Sequence, residues 1–471
     1  MPLFFLSYYI VDYKFKNLCI FLFSLGFYFF GCFENPKYIL ILLLSLVVNY
    51  ILGIQIEKSK DGSSKKKIFL IIAIVYNFFI LFLFKYFNFF ADIVNKISHN
   101  STLSAIDLIL PIGISFYTFQ IVSYIVDIYF KKINAEYNFI DFSTYVIMFP
   151  QLIAGPIVRY SDMMSRIKSE RVIKINEILD GLIVFIFGLS SKVIVANQLS
   201  LVALDIDKYG YESMCFLSAW GGAISWSMQM YFDFFGYSLM AIGLGKMMGF
   251  EIIENFKDPF LSTSVEEYWR RWHISLSTWF RDYLLYPLQM SNFALNIRKK
   301  LKPLLGLKRT TIVINIITTF IVWLATGLWH GANYNFVIWG LYFFIFLNLE
   351  LIFLSKILKK SKFISHIYLL IVISISFVIF FNEDLGQMMI YLKKMFFINA
   401  NFINDNFFKT IISNLRSIII GILCVIKLPN MIYAKISDKF YLKITISVLL
   451  LALSLFLIYK GYNDPFMYFR F

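Results

Sequence analysis

The sequence predicts an all-helical integral membrane protein, and three observations lead there. The chain of 471 residues is 59% hydrophobic and only 15% charged, with a mean hydropathy of +0.71, whereas a soluble chain carries about 25% charged residues. Its apolar residues gather in runs that approach the length of about 20 needed to cross a bilayer. Basic residues collect between alternate runs, and acidic or neutral stretches lie between the others. The composition excludes a soluble enzyme, a disordered chain and a disulfide scaffold, since 54 Phe and 30 Tyr are more than one water-facing core can hide.

An amphipathic stretch, 3–13, precedes the apolar runs. The runs 18–30, 38–54, 68–90 and 108–130 follow. The run 142–157 carries Pro150, Gly155 and Pro156, and reads as broken. Next come 178–195, 214–232 and 239–250, the last cut by Gly243, Gly245 and Gly249. The runs 312–328, 336–354, 367–381, 417–427 and 444–458 complete the set. Broken helices at membrane depth persist only where protein or a water-filled cavity satisfies their backbone. The expected architecture is therefore about eleven transmembrane helices, with short re-entrant or interfacial helices around a central funnel or tunnel. No inverted or short repeat is visible, and residues 1–471 read as one membrane domain.

The charge pattern orients the chain. Lysines or arginines cluster at 14–16, 58–67, 131–132, 159–174, 270–309, 356–362 and 427–443, while Glu34, Asp92, Asp107, Asp205, Asp207, Glu212, Glu383 and Asp384 mark the opposite side. The N-terminal region and the central loop are predicted to be cytoplasmic, and the tail 461–471 extracytoplasmic. Lys393, Lys394 and Lys409 in the 382–412 loop are an exception. The net charge of +15 is accounted for by this pattern, and nucleic acid is set aside as a partner. Cys19, Cys32, Cys215 and Cys424 lack metal-ligand spacing and read as buried thiols. The N-terminus has neither a basic leader nor a small-residue cleavage site, so it reads as a first membrane segment rather than a removable signal.

Of the four histidines, His99 and His366 sit in a polar loop and at the start of a span, with no chemistry around them. His330 lies in Ala325-Thr-Gly-Leu-Trp-His-Gly-Ala-Asn333 at the end of an apolar run. Two readings fit it: a packed, hydrogen-bonded imidazole at a helix end, or a general base facing a cavity. Gly327 and Gly331 would let backbone or substrate approach it, and Thr326, one turn back, could orient the ring. His273 lies in Glu266-Glu-Tyr-Trp-Arg-Arg-Trp-His-Ile-Ser-Leu-Ser-Thr-Trp279. At helical spacing Trp269, His273 and Ser277 share one face, as do Glu266 and Arg270. The segment, which also carries Arg270 and Arg271, reads either as an interfacial helix anchored by Trp and Arg or as a polar lining that binds an anionic cofactor and positions His273 near a reacting carbonyl. Gln120, Asp127, Gln151, Gln229, Asp233 and Asn333 are further polar groups in apolar surroundings. Asp233 is the costliest and needs a partner, such as an arginine, or protonation.

Several stretches together resemble the membrane-bound O-acyltransferase (MBOAT) family, in the bacterial branch that includes the membrane subunit of alginate O-acetyltransferase. They are Leu110-Pro-Ile-Gly-Ile-Ser-Phe-Tyr-Thr-Phe-Gln120, Ser123-Tyr-Ile-Val-Asp127, Phe149-Pro-Gln-Leu-Ile-Ala-Gly-Pro-Ile157 with Arg159, and Asp233-Phe-Phe-Gly-Tyr-Ser238. The segment 269–277, Arg281-Asp-Tyr283 and Leu328-Trp-His-Gly-Ala-Asn333 complete them, with the motifs concentrated in 110–345. The sequence departs from the family pattern after Ser238 and at Asp258-Pro-Phe260. The resemblance implies that His330 is the catalytic histidine near the floor of a funnel, with His273 in support. It implies a tunnel lined by residues such as Gln120, Asp233, Trp269, Ser277 and Asn333.

The resemblance also implies an acyl thioester, acetyl-CoA first among them, as donor substrate, with no permanently bound cofactor and no metal. An acyl group would leave on the outer side to a secreted or membrane-anchored partner of the SGNH hydrolase type, which acetylates an exopolysaccharide or other envelope glycan within the glycan-synthesis machinery. The tail Asp464-Pro-Phe-Met-Tyr-Phe-Arg-Phe471 resembles a terminal motif of this branch, in which Tyr468 would carry the acyl group. Its aromatic residues would equally serve as an interfacial anchor. D-alanyl transfer to teichoic acid is the alternative within the enzyme class, and a membrane transporter or flippase is the alternative outside it.

Overall fold

The computed structural model describes residues 1–32, 35–99, 103–106, 108–152, 155–428, 431 and 439–461, and every regular element among them is helical. In chain order, α1 is Pro2–Ile10, α2 Lys16–Gly31, α3 Tyr38–Lys58 and α4 Ser64–Ser98. α5 is Ile114–Tyr129, α6 Phe139–Ile147 and α7 Tyr160–Lys168. α8 is Ile175–Asp207, α9 Phe216–Met247, α10 Val265–Arg271 and α11 Ile274–Phe280. α12 is Asn292–His330, α13 Tyr334–Leu358 and α14 Lys362–Phe381. α15 is Leu385–Met395, α16 Asp405–Val425 and α17 Phe440–Tyr459.

Among the described residues eight helices are long and apolar enough to cross a membrane: α3, α4, α8, α12, α13, α14, α16 and α17. The all-helical membrane class is as the composition predicts. The larger expected count included the runs at α2 and α5, which form helices of 16 residues each. At a rise of about 1.5 Å per residue these reach about 24 Å, short of a hydrocarbon core of about 30 Å. The run 142–157 is broken as expected: α6 stops at Ile147 and a four-residue helix, Phe149–Leu152, follows.

One expectation fails. The runs 214–232 and 239–250 are a single helix, α9, of 32 residues. Gly243 and Gly245 stay helical, because the cost of about 1 kcal/mol for each interior glycine is met by packing. Only Gly249, at φ +80°, takes the left-handed turn that ends the segment. The 382–412 connection is likewise more than a loop, since it contains α15.

The chain forms two compact units, Met1–Gly181 with Ala241–Ile253, and Leu182–Met240 with Glu254–Phe471. In the first, the buried Arg171 guanidinium donates to the Tyr8 hydroxyl (3.0 Å), the Arg166 carbonyl (2.7 Å) and Asn17 Oδ1 (2.7 Å). It also lies 4.6 Å from the Phe250 ring centroid, and the Tyr8 hydroxyl donates to the Met248 carbonyl at 2.7 Å. Tyr8 and Phe4 make the buried side of α1, whereas Leu3, Leu6 and Ile10 are exposed, so α1 is apolar on both sides and the predicted amphipathic character is not observed. Glu136, also buried, receives the Tyr160 hydroxyl and pairs with Lys168 at 3.1 Å.

In the second unit, α8 and α9 meet at glycines. A Cβ built on Gly188 would stand 2.5 Å from the Gly236 carbonyl oxygen, and one on Gly236 2.6 Å from the Gly188 oxygen. Backbone therefore lies on backbone, the close approach that small residues permit in membranes. Next to this contact a π-helical segment of α8, Ser191–Ala196, carries Lys192, whose Nζ lies 2.6 Å from Asp233 Oδ1. The partner Asp233 needs is thus a lysine. α12 and α13 meet in the same way, for a Cβ on Gly327 would stand 2.3 Å from the Phe336 carbonyl oxygen. α12 itself is interrupted at Gly306, where φ is 74°.

Removing one partner of a buried ion pair leaves an uncompensated charge and costs about 3–5 kcal/mol, whereas an apolar replacement of both is near neutral. Asp233→Leu is therefore expected to lower stability by about that amount, and Lys192→Met with Asp233→Leu to recover most of it. Denaturation of the three proteins in one detergent checks this; a double variant as unstable as the single would contradict it.

Candidate functional site

Two different pieces of local structure carry the histidines His273 and His330. His330 is the last residue of α12. Gly331 is extended and Asn333 caps α13, its Oδ1 accepting the Tyr334 N–H at 2.6 Å. The room beside Gly331 is filled by the Phe336 ring, 2.1 Å from where a Cβ would be, and the room at Gly327 by the backbone of α13. The space predicted for an approaching group is taken up by packing. The Thr326 hydroxyl donates to the Val322 carbonyl at 2.7 Å. His330 is buried edge-on against Trp339 (centroids 4.8 Å apart) and Phe380 (5.3 Å).

His273 is not on a helix. α10 ends at Arg271, Trp272 is extended, and His273 takes the left-handed conformation (φ 44°, ψ 54°) before α11 begins. The shared helical face predicted for Trp269, His273 and Ser277 does not exist, because periodicity carries no further than an unbroken helix. The kink is held by the segment that precedes α10. The Ile274 N–H donates to the Asn255 carbonyl and the Lys257 N–H to the Arg271 carbonyl, each at 2.9 Å. Asn255 Oδ1 accepts the Ser275 N–H (3.1 Å) and hydroxyl (2.8 Å), and lies 3.2 Å from His273 Nδ1. The start of α10 is anchored from afar: the two carboxylate oxygens of Glu350 accept the N–H groups of Val265 (2.7 Å) and Glu266 (3.0 Å).

The kink and the helix end meet at a cavity of about 20 Å³ lined by His273, His330, Trp269, Trp339, Ser376 and Phe380, among others. That volume holds about one water molecule. Among the described residues His273 Nε2, Trp269 Nε1 and Trp339 Nε1 are buried with no hydrogen-bond partner. One acceptor and two donors thus stand ready for a ligand that brings both an acidic hydrogen and an oxygen lone pair. His273 lies outside the eight spans, and burial pushes its imidazole down to about 3, so it is neutral at physiological pH.

The structure brings together three of the predicted site residues, His330, His273 and Trp269. Asp233 is engaged by Lys192, and Asn333 serves as a helix cap. Ser277 donates to the Trp272 carbonyl at 3.4 Å. Arg271 pairs with Glu267 at 2.6 Å, and Arg270, largely exposed, lies 3.7 Å from Glu266. None of these five lines the cavity. Gln120 belongs to the first unit, fully buried, with neither side-chain polar atom partnered among the described residues. Tyr468 lies outside the described residues. Among those residues no group of three His, Cys, Asp or Glu side chains could hold a metal ion. Asn255, Trp339, Phe380 and Glu350 were not anticipated. Glu350 had a signal, as the one charged residue in the run 336–354, where a charge is costly enough to imply a task.

Two buried imidazoles thus share an aromatic-walled cavity in a membrane protein, an arrangement compatible with proton transfer. Comparison with known proteins says which kind. The family model described as MBOAT, membrane-bound O-acyltransferase family, matches residues 130–300. The chain is 36% identical over 353 residues to a protein of Pseudomonas aeruginosa named probable alginate O-acetylase AlgI, covering 74% of this chain and 64% of that one. It is 30% identical to the peptidoglycan O-acetyltransferase of Helicobacter pylori, covering 100% of this chain and 95% of the relative. It is also 30% identical to the teichoic acid D-alanyltransferase of Bacillus subtilis, over 50% of this chain and 58% of the other. The chain belongs to the membrane-bound O-acyltransferase family.

Two outcomes follow from the geometry. Glu350→Gln keeps one acceptor but sets an amide N–H₂ against a backbone N–H, and is expected to cost about 1.5–3 kcal/mol; an unchanged melting temperature would contradict the anchoring of α10. Below pH 6.5, the ordinary value for histidine, the unfolded chain binds a proton at position 273 that the native one, titrating at about 3, does not. Stability present above pH 6.5 is therefore lost as the pH falls, by up to about 1.4 kcal/mol per pH unit. Melting curves of wild type and His273→Gln between about pH 6 and pH 4 should diverge, with the variant losing less; parallel curves would count against a neutral, buried His273.

Proposed function

We propose that this chain is a membrane O-acyltransferase that passes an acyl group, acetyl in the first instance, from a cytoplasmic thioester towards the hydroxyls of an exopolysaccharide or other envelope glycan. The observation that carries the reading is the meeting of His273 and His330 on one cavity, where His273 Nε2 and the indole N–H groups of Trp269 and Trp339 have no partner among the described residues. Two relatives are named for O-acetylation, one of alginate and one of peptidoglycan. The cavity of about 20 Å³ holds about one water molecule, so an acyl group of any length enters only as the aromatic walls part, and the choice of acetyl rests on the relatives' names.

In this reading His330 is the general base. It takes the proton of the attacking hydroxyl, the oxygen forms a bond to the thioester carbonyl carbon, the carbon–sulfur bond breaks, and the thiolate leaves with a proton returned by the imidazolium. The N–H groups of Trp269 and Trp339 are the donors for the negative oxygen that develops, and His273 assists. Arg270, exposed, suits the anionic part of a donor such as acetyl-CoA. The acyl group would leave through Tyr468 or directly, on the extracytoplasmic side of a bacterial cytoplasmic membrane, to a secreted partner of the SGNH type that completes transfer to the glycan.

The test incubates purified wild type, His330→Ala and Tyr468→Phe with radiolabelled acetyl-CoA. Wild type is expected to cleave the thioester, and His330→Ala, folded, to be slower by about 10²–10⁴-fold, the worth of a general base. Covalent label lost with Tyr468→Phe supports the relay; label retained removes it. Near-normal turnover in His330→Ala removes His330 from the mechanism. Transfer from a D-alanyl thioester but not from acetyl-CoA would favour the teichoic acid reaction, and no transfer from any donor the transporter.

A further inference from the structure

We propose that Asn255 is a positioning residue that holds His273 as the tautomer protonated on Nδ1, so that Nε2 presents a lone pair to the cavity. The argument begins at Ser275. Its backbone N–H can only donate, and it lies 3.1 Å from one terminal atom of the Asn255 side chain. That atom must be the oxygen, since the amide nitrogen there would set donor against donor. The same oxygen accepts the Ser275 hydroxyl at 2.8 Å and lies 3.2 Å from His273 Nδ1. An amide oxygen only accepts, so Nδ1 carries the hydrogen. The neutral ring has one N–H, and Nε2 is therefore bare.

Nε2 is also buried without a partner among the described residues, a costly arrangement unless a bound group completes it. The main chain reinforces the grip, because the Asn255 carbonyl accepts the Ile274 N–H at 2.9 Å. Asn255 thus holds both the ring of His273 and the residue after its left-handed turn. The consequence rests on the acyltransferase reading. His273 can take a hydrogen bond from an O–H or N–H of a substrate, but cannot give one to the carbonyl oxygen of a thioester. Its assistance is that of an acceptor, and stabilising the oxygen falls to the indole N–H groups.

The test has two independent readouts on full-length protein in detergent. ¹⁵N spectra of histidine-labelled protein, in a His99→Gln, His366→Gln background, report which ring nitrogen of His273 is protonated; subtraction of the His330→Gln spectrum assigns it. Wild type is expected to show protonated Nδ1 and bare Nε2, unchanged from about pH 6 to pH 8. Asn255→Asp, which keeps the acceptor, should preserve that tautomer, and Asn255→Ala should release it to a mixture. In acyl transfer, Asn255→Ala should lose about 10²-fold in kcat with KM for the thioester within about twofold. Asn255→Asp should restore most of it, with the acid limb of the pH profile moved upwards, because a carboxylate beside the ring favours its charged, inactive form. A protonated Nε2 in wild type overturns the inference, and so does an Asn255→Ala spectrum like that of wild type, or a loss confined to KM. If Asn255→Ala does not fold, the wild-type and Asn255→Asp spectra still decide. A wild type that transfers no acyl group overturns the acyltransferase reading instead, and the spectra stand apart from it.

Discussion

No water is at hand inside a bilayer, so a polar atom carried to that depth must find its partner within the protein. The placement of this chain's buried polar groups follows from that requirement. The carboxylate of Glu350 is met by the N–H groups of Val265 and Glu266, some eighty residues away in sequence. Asn335 donates to the Phe380 carbonyl at 2.8 Å, tying the start of α13 to the end of α14. Lys192 and Asp233 answer each other across the α8–α9 contact. Each bond joins segments that are distant along the chain, so satisfying a polar group and setting a tertiary position are one event. Not every buried polar atom among the described residues is met in this way: Gln120 is one exception, and the cavity lined by His273 and His330 gathers three unpartnered atoms, His273 Nε2 and the indole N–H groups of Trp269 and Trp339.

The membrane class was legible in composition alone, because 15% charged residues cannot make a soluble surface of this size. His330 stood out as a candidate for a related reason: an imidazole in an apolar run is costly unless it is packed and bonded or faces a cavity. Where the reading failed, it failed on backbone. Glycines at 243 and 245 looked like breaks and proved to be interior helix, since a glycine's conformational freedom matters only where packing does not decide. The helical spacing from Trp269 to Ser277 assumed an uninterrupted helix, and the left-handed His273 interrupts it. Asn255 was invisible for the same reason. Its relation to His273 is made by a turn and not by a period, and the residue stands 18 positions away. Trp339 was hidden by abundance, as one aromatic residue among a fifth of the chain. Sequence patterning thus picked out the two histidines as candidates but not the groups packed around them.

The contact of α12 with α13 carries a mechanical consequence. Gly327 and Gly340 bring the two backbones together within one turn of His330, with a Cβ at either position falling 3.3 Å from the other's Cα. Helices meshed main chain to main chain have no layer of side chains to yield between them, so they cannot be levered apart or slid past each other by the few tenths of an ångström that a softer interface absorbs. The wall that bears His330 is stiff. The rest of the cavity wall is made largely of aromatic side chains, Trp339 and Phe380 among them, which turn more readily than meshed helices part. The glycine pair therefore sets a close-packed frame on which the rings that line the cavity are mounted.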